Sequence, residues 1–163
     1  MQVACSQSLS GTGALHLAGA FLRLVCDSSA KVYITEPSWS NHRAVFESVG
    51  FPVQAYTYLD QSGRFDFANT VDTLKRAPPG SVFAFHACAH NPSGCDPSRD
   101  QWKQIASIMQ QRKLFPLFDA AYLGLTTGNL NEDAFAIRHF VREMDMEAAI
   151  CLSFAKSMGL YGE

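Results

Sequence analysis

The groups in this chain best suited to covalent chemistry stand near its carboxyl end, in Ser153-Phe154-Ala155-Lys156. A lysine amine attacks an aldehyde only when unprotonated, so a lysine used in this way needs partial burial or cationic neighbours that lower its pKa. Ser153, three residues earlier, suits a phosphate oxygen. By itself the pair also fits a surface lysine at the end of a strand, because a lone Ser-x-x-Lys is a weak motif.

Four upstream segments offer complementary chemistry. Ser8-Leu9-Ser10-Gly11-Thr12-Gly13 precedes an amphipathic stretch, and free amides and hydroxyls at a helix start suit phosphate. The spacing is neither Gly-x-Gly-x-x-Gly nor a Walker loop, and Ser10 or Thr12 could equally serve as a plain helix cap. In Glu36-Pro37-Ser38-Trp39, the tryptophan could present a flat face to an aromatic ring or pack in a turn. His90-Asn91-Pro92-Ser93-Gly94 reads as a turn that re-aims Asn91, with or without a ligand oxygen to receive its amide. Asp119 follows an apolar run and belongs at a buried strand end, where a carboxylate stays ionised only with a partner. A pyridinium nitrogen is one such partner, and capping of the next turn is the alternative. Phosphate, ring face, ring oxygen, ring nitrogen and aldehyde together describe pyridoxal phosphate.

A metal is the competing use of His86, Cys88 and His90, which alternation on a strand would place on one face. Zinc would need a further ligand or an open water position, and nothing nearby is spaced to offer it. No metal is expected.

The elements that must hold these groups are short apolar runs alternating with amphipathic stretches. Residues 32–35, 53–58, 81–86, 115–118 and 149–153 read as strands covered on both faces. Leu15, Ala18, Leu22 and Val25 form one helical stripe, Trp102, Ile105 and Met109 a second, and Ala134, Ile137, Arg138 and Val141 a third. Asp96-Pro97 reads as cap and first turn of the second helix. The alternation predicts a three-layer α/β fold, a mostly parallel sheet with helices on both faces. Ligands in such sheets gather at the carboxyl ends of strands, where the polar segments fall.

Composition narrows the function classes. The chain has 163 residues, 47% hydrophobic and 17% charged, which suits one compact domain with a real core. A net charge of −2 provides no basic field for nucleic acid and no polybasic face for lipid. Five cysteines without a Cys-x-x-Cys pair make neither a disulfide framework nor an ordinary zinc site. No apolar run is long enough to span a bilayer, and residues 1–5 lack a secretory signal pattern. A soluble, intracellular protein is the expectation.

The ordered motifs resemble class I aminotransferases, and within them the eukaryotic aspartate aminotransferases. The likeness runs through residues 7–15, 37–42, 86–94, 101–106, 118–122 and the segment from Ser153. It implies the fold of type I pyridoxal-phosphate-dependent transferases, with residues 1–163 forming the central part of the cofactor-binding large domain. Lys156 would hold the cofactor as a Schiff base and carry the proton in amino transfer. Asp119 would pair with the pyridine nitrogen, Trp39 would stack on the ring, and Asn91 and Tyr122 would contact its phenolic oxygen. Ser10, Gly11, Thr12 and Ser153 would hold the phosphate, with His42 and His86 supporting Asp119 from behind.

The activity so implied is amino transfer from aspartate to 2-oxoglutarate by ping-pong kinetics, in a homodimer expected in the cytoplasm, with the mitochondrion the alternative. Aromatic or broader amino acid specificity on the same fold and a non-catalytic interaction fragment are the alternatives, with a nucleotide-binding α/β protein a distant third. Ser93, Ser157 and Leu123 depart from the family's usual threonine, asparagine and glutamine, and Leu123 removes an amide near the site. The resemblance covers less than half of a typical member. The small domain, the rest of the large domain and the substrate-binding arginines are expected outside these residues, and little activity is expected of the chain alone.

Overall fold

A computed structural model describes residues 2–161. Helix α1 (Ser10–Val25) leads into β1 (Val32–Glu36), α2 (Asn41–Ser48), β2 (Val53–Thr57), α3 (Phe67–Arg76) and β3 (Val82–His86). There follow α4 (Arg99–Arg112), β4 (Phe115–Ala120), two short helices, α5 (Leu130–Asp133) and α6 (Phe135–Arg138), a π-helical turn (His139–Glu143) and β5 (Ala149–Leu152). The five strands form one sheet in the order β2-β1-β3-β4-β5, and every pairing is parallel.

The three layers follow from strand alternation. In β3, Val82 and Ala84 face a core shared with Leu15 and Leu22 of α1 and Val45 and Phe46 of α2. Phe83 and Phe85 face the opposite core, built with Leu74 of α3, Trp102, Ile105 and Met109 of α4, and Phe140. A strand apolar at every position is what a sheet covered on both faces demands. The expected three-layer α/β fold is therefore the observed one.

Local expectations need correction at several points. Helix α4 is capped by Ser98, whose hydroxyl accepts from the Gln101 amide while the Gln101 side chain accepts from the Ser98 amide. That reciprocal pair outcompetes Asp96-Pro97 as the helix start, and Asp96 is used elsewhere. Neither Ser10 nor Thr12 caps α1; Leu9 occupies the cap position without a side-chain hydrogen bond. Val25 lies on the exposed side of the final turn of α1, while Leu15 and Leu22 are buried in the core and Ala18 packs partly against it. The third expected helix, over Ala134 to Val141, is divided between α6 and the π turn, and α5 just before it was not expected. Helix α3 carries Phe67, Val71 and Leu74 at helical spacing, a stripe that the sequence reading did not pick out, while the short α2 buries only His42, Val45 and Phe46. Helix α3 buries Thr70 and Leu74, with the Asp66 side chain accepting from the Asn69 amide at its start.

The chain winds outward from β1 to β2, then crosses back to β3 on the other side of β1. The loops leaving β1 and β3 therefore diverge, opening a crevice at the carboxyl ends of the strands. Among the described residues no helix is long and apolar enough to cross a membrane.

Candidate active site

The crevice is lined by Ser10, Gly11, Thr12 and Leu15 of α1, Trp39 after β1, His86 and Asn91 at and after β3, Asp119, Ala121 and Tyr122 at and after β4, and Ser153 and Lys156 after β5. Its cavity volume is about 100 Å³. Every residue expected to hold or support the cofactor, except His42, thus lies on its wall, and His42 stands directly behind. Leu15, expected only as a core residue, and Ala121 line it too.

The α1 end of the site is built by close approach. The Ser10 and Ser153 hydroxyls lie 3.3 Å apart. At Gly11 a Cβ would come within 3.1 Å of the Ser153 Cβ, so glycine lets helix and strand end meet here. Because the first intrahelical bond is Gly13 N–H to Leu9 carbonyl, the amides of Ser10, Gly11 and Thr12 have no partner within the helix. Ser10 adopts a left-handed backbone conformation, φ 56°, a strain that L residues show mainly where function holds them. Amides, hydroxyls and the positive helix end together favour an anion.

At the opposite wall Asp119 is 7% exposed. His42 Nε2 donates to Asp119 Oδ2 at 3.0 Å, and Ser38 Oγ meets His42 Nδ1 at 2.8 Å. The carboxylate oxygen accepts and Nε2–H donates, while Nδ1 meets the Ser38 hydroxyl, which can serve as donor or acceptor. Ser38 and His42, four residues apart at the start of α2, are the local signal for this support. Trp39 meets the His42 ring edge-on, with centroids 5.4 Å apart.

His86 stands differently from the expected support role. It makes no hydrogen bond to Asp119, and both its ring nitrogens are buried without a partner. Burial, reinforced by the charges that His42 and His90 would carry, holds its pKa well below the usual range. His86 is therefore a neutral wall residue. The strand ends at His86, so Cys88 and His90 do not continue the face that alternation predicted. The potential ligand atoms that converge are instead those of His42, His86 and Asp119, all within 4.8 Å of one another.

His90 is bound on both ring nitrogens, to Thr35 Oγ1 at 2.9 Å and Ser93 Oγ at 2.7 Å. Tyr58 stacks on it with centroids 3.8 Å apart. Burial, with a smaller contribution from His42, lowers its pKa to about 4. Ser93, in place of the family's threonine, keeps the hydroxyl this network uses. Leu123 is partly buried against the Phe85 and Trp102 core and is absent from the wall. Lys156 is exposed rather than partly buried, and its Nζ lies 4.6 Å from the centroid of the Tyr161 ring.

Comparison with known proteins identifies the family. The family model for aminotransferase class I and II matches residues 2–163. The chain belongs to the class I and II aminotransferases. It is 46% identical over 165 residues to the cytoplasmic aspartate aminotransferase of Schizosaccharomyces pombe, covering 99% of this chain and 40% of that protein. It is 44% identical over 158 residues to the mitochondrial aspartate aminotransferase of Xenopus tropicalis, covering 96% and 37%. Among solved structures, an aromatic-amino-acid aminotransferase from Burkholderia pseudomallei, covalently bound to pyridoxal phosphate, superposes with a TM-score of 0.92. That match has 40% identity and covers 97% of this chain and 39% of the other. The chain thus spans about two fifths of the length of these relatives.

The residues present fit such a cofactor. An anion-favouring helix start, a close-packed glycine, a buried carboxylate opposite and a lysine share one cleft. The unpartnered nitrogens of His86 leave hydrogen-bonding capacity on the same wall.

Proposed function

We propose that this chain is the central part of the pyridoxal-phosphate-binding large domain of an aspartate aminotransferase, moving an amino group from L-aspartate to 2-oxoglutarate. The observation that carries this reading is the convergence of Ser10, Asp119, Ser153 and Lys156 on one crevice. The α1 amides with Ser10, Thr12 and Ser153 would take the phosphate, with Gly11 permitting the approach. Trp39 would cover one ring face, and Asn91 and Tyr122 would contact the phenolic oxygen. When bound, the cofactor supplies an electron-accepting pyridinium ring that acidifies the substrate α-carbon.

The protein's part is electrostatic and positional. Asp119, whose Oδ2 accepts from His42, would pair with the protonated ring nitrogen. Ser38, hydrogen-bonded to His42 Nδ1, holds the ring with Nε2 aimed at Asp119. Lys156 would anchor the cofactor and, once displaced by substrate, accept a proton from the α-carbon and return one to the cofactor side. Its exposure in the crevice gives the amine room for both positions.

Identities of 44% and 46% to aspartate aminotransferases support the aspartate assignment. The aromatic-amino-acid aminotransferase structure, at 40% identity and a TM-score of 0.92, supports aromatic amino acids as the second reading. The match over two fifths of each relative's length supports a larger protein, with a small domain and the rest of the large domain beyond these residues. Apolar side chains exposed along and after β5, among them Ile150, Leu152, Phe154 and Met158, support it too. In this reading the complete protein is a homodimer in the cytoplasm and the isolated chain turns over little or no substrate; relatives from both the cytoplasm and the mitochondrion keep the second compartment as the alternative.

Borohydride trapping tests the site. Pyridoxal phosphate is added to the purified chain, the adduct is reduced, and labelled peptides are mapped by mass spectrometry. Label should concentrate on Lys156 over Lys31, Lys75, Lys103 and Lys113, and the preference should vanish in Asp119→Ala. Even labelling of all the lysines in folded protein would overturn the assignment.

A further inference from the structure

Asn91 and Tyr122 reach the crevice from two irregular loops, and loops hold a side chain in place only where something ties their backbone. The loop after β3 contains Ala89, whose φ of 49° lies in a region that L side chains rarely adopt. The loop after β4 runs from Tyr122 through Gly124 to Asn129 before chain order resumes in α5. Each is gathered by one carboxylate that lies outside the crevice.

Asp96 Oδ2 accepts from the Ala89 amide at 2.6 Å, and its Oδ1 accepts from the His90 amide at 2.9 Å. Both donors stand immediately before Asn91, and one of them belongs to the strained residue. Asp133 is 5% exposed. Its Oδ2 accepts from the amides of Gly124 and Thr126 at 2.8 and 3.0 Å. Its Oδ1 accepts from the Thr127 amide at 3.1 Å and the Thr127 hydroxyl at 2.7 Å. Burial alone would raise its pKa, but these bonds outweigh it and the net shift is downward, so the acceptor stays ionised. Charge-assisted bonds of this kind are stronger than neutral ones and restrict geometry more.

We infer that Asp96 and Asp133 are positioning residues: each binds the main-chain amides of one crevice loop and thereby sets where Asn91 and Tyr122 stand. The inference rests on the cofactor reading above for what those two side chains touch. Neither aspartate contacts the cofactor. Each acts through a single partner, so its influence on cofactor binding disappears when that partner's side chain is removed.

The test combines amide hydrogen exchange on the cofactor-free chain with absorbance titration of pyridoxal phosphate. Asp133→Asn should speed exchange at Gly124, Thr126 and Thr127 by about ten-fold or more while leaving Ala89 and His90 unchanged. It should also weaken pyridoxal phosphate binding about ten-fold, as expected for a lost charge-assisted contact network. In a Tyr122→Phe background the further weakening should be absent. Asp96→Asn should show the mirror pattern, acting at Ala89 and His90 and becoming silent in Asn91→Ala. Should Asp133→Asn fail to fold, Thr127→Val removes one donor to the same carboxylate and should show a smaller effect with the same dependence on Tyr122.

Unchanged exchange at the tied amides overturns the inference, as does an Asp133→Asn binding defect of equal size with and without the Tyr122 hydroxyl. Wild-type protein that binds no pyridoxal phosphate overturns the cofactor reading instead, and exchange alone then decides whether the carboxylates hold the loops.

Discussion

Replacing His42 with leucine isolates the support of the buried carboxylate. His42 is 1% exposed and supplies the hydrogen bond to Asp119, itself 7% exposed. Leucine fills a similar space but donates nothing, so Asp119 keeps its desolvation without its partner. A hydrogen bond to a charged group contributes about 1.5–3 kcal/mol, and an unsatisfied buried group costs at least as much. Loss of the Ser38 bond to Nδ1 adds a smaller amount, because Ser38 is only half-buried and can turn to water. The expected destabilisation is about 3 kcal/mol, which for a domain of this size lowers Tm by about 6–12 °C.

Thermal and urea unfolding of His42→Leu, Asp119→Asn and the double variant measure this directly. Asparagine keeps the shape and can still accept from Nε2, so Asp119→Asn alone should lose less stability. In the double variant the unpaired charge is gone, and the coupling between the two sites should be about 1.5–3 kcal/mol. A coupling below about 0.5 kcal/mol, within the error of such cycles, would refute the claim that His42 stabilises the Asp119 carboxylate.

Two further predictions concern titration and thiols. The pKa of His90 falls to about 4 in the folded chain and that of His86 is lowered as well, whereas an unfolded histidine titrates near 6.5. The unfolded chain binds more protons in that interval, so stability is fully present above about pH 6.5 and falls toward pH 4, by up to about 1.4 kcal/mol per pH unit per histidine. Urea midpoints from pH 7.5 to 4.5 should show this decline, shallower in His90→Gln; a flat profile would exclude histidines held neutral. Burial pushes the Cys151 thiol up to about 12 and Cys88 up to about 11, while Cys5 is exposed. Iodoacetamide at pH 8 should therefore modify Cys5 in the native chain and reach Cys88 and Cys151 only on unfolding, and rapid native labelling of Cys151 would contradict its burial.

Much of the sheet was legible because its strands are covered on both faces and so read as nearly unbroken apolar runs. The observed strands agree with those runs to within a residue or two at most ends, as with Val53–Thr57 and Val82–His86. Helices were less legible. Helix α2 offers the core only His42, Val45 and Phe46. Helix α3 was legible in Phe67, Val71 and Leu74 at i, i+4 and i+7 and went unread, and it also uses Thr70 as a core residue, its hydroxyl satisfied by the Asp66 carbonyl. The Ser98-Gln101 cap was visible as Ser-x-x-Gln, yet Asp96-Pro97 gave an equally ordinary start signal. The choice between them turned on Asp96 having better donors at Ala89 and His90, which are distant in local structure.

The site divides along the same line. The sequence by itself determined the chemical parts: an amine, a carboxylate at a strand end, an indole, a turn amide and a hydroxyl-rich helix start. It determined them because residue type and local spacing suffice to say what a group can donate, accept or attack. Only the tertiary structure decided that these parts share a cleft, since parallel register aligns His86 with Asp119, and Asp119 with Cys151 two residues before Ser153. It also decided that His42 rather than His86 bonds the carboxylate, and that Leu123 faces the core. Those outcomes depend on which side of a packed sheet each loop leaves and on which donors burial deprives of water, and both are set by contacts between segments far apart in the chain.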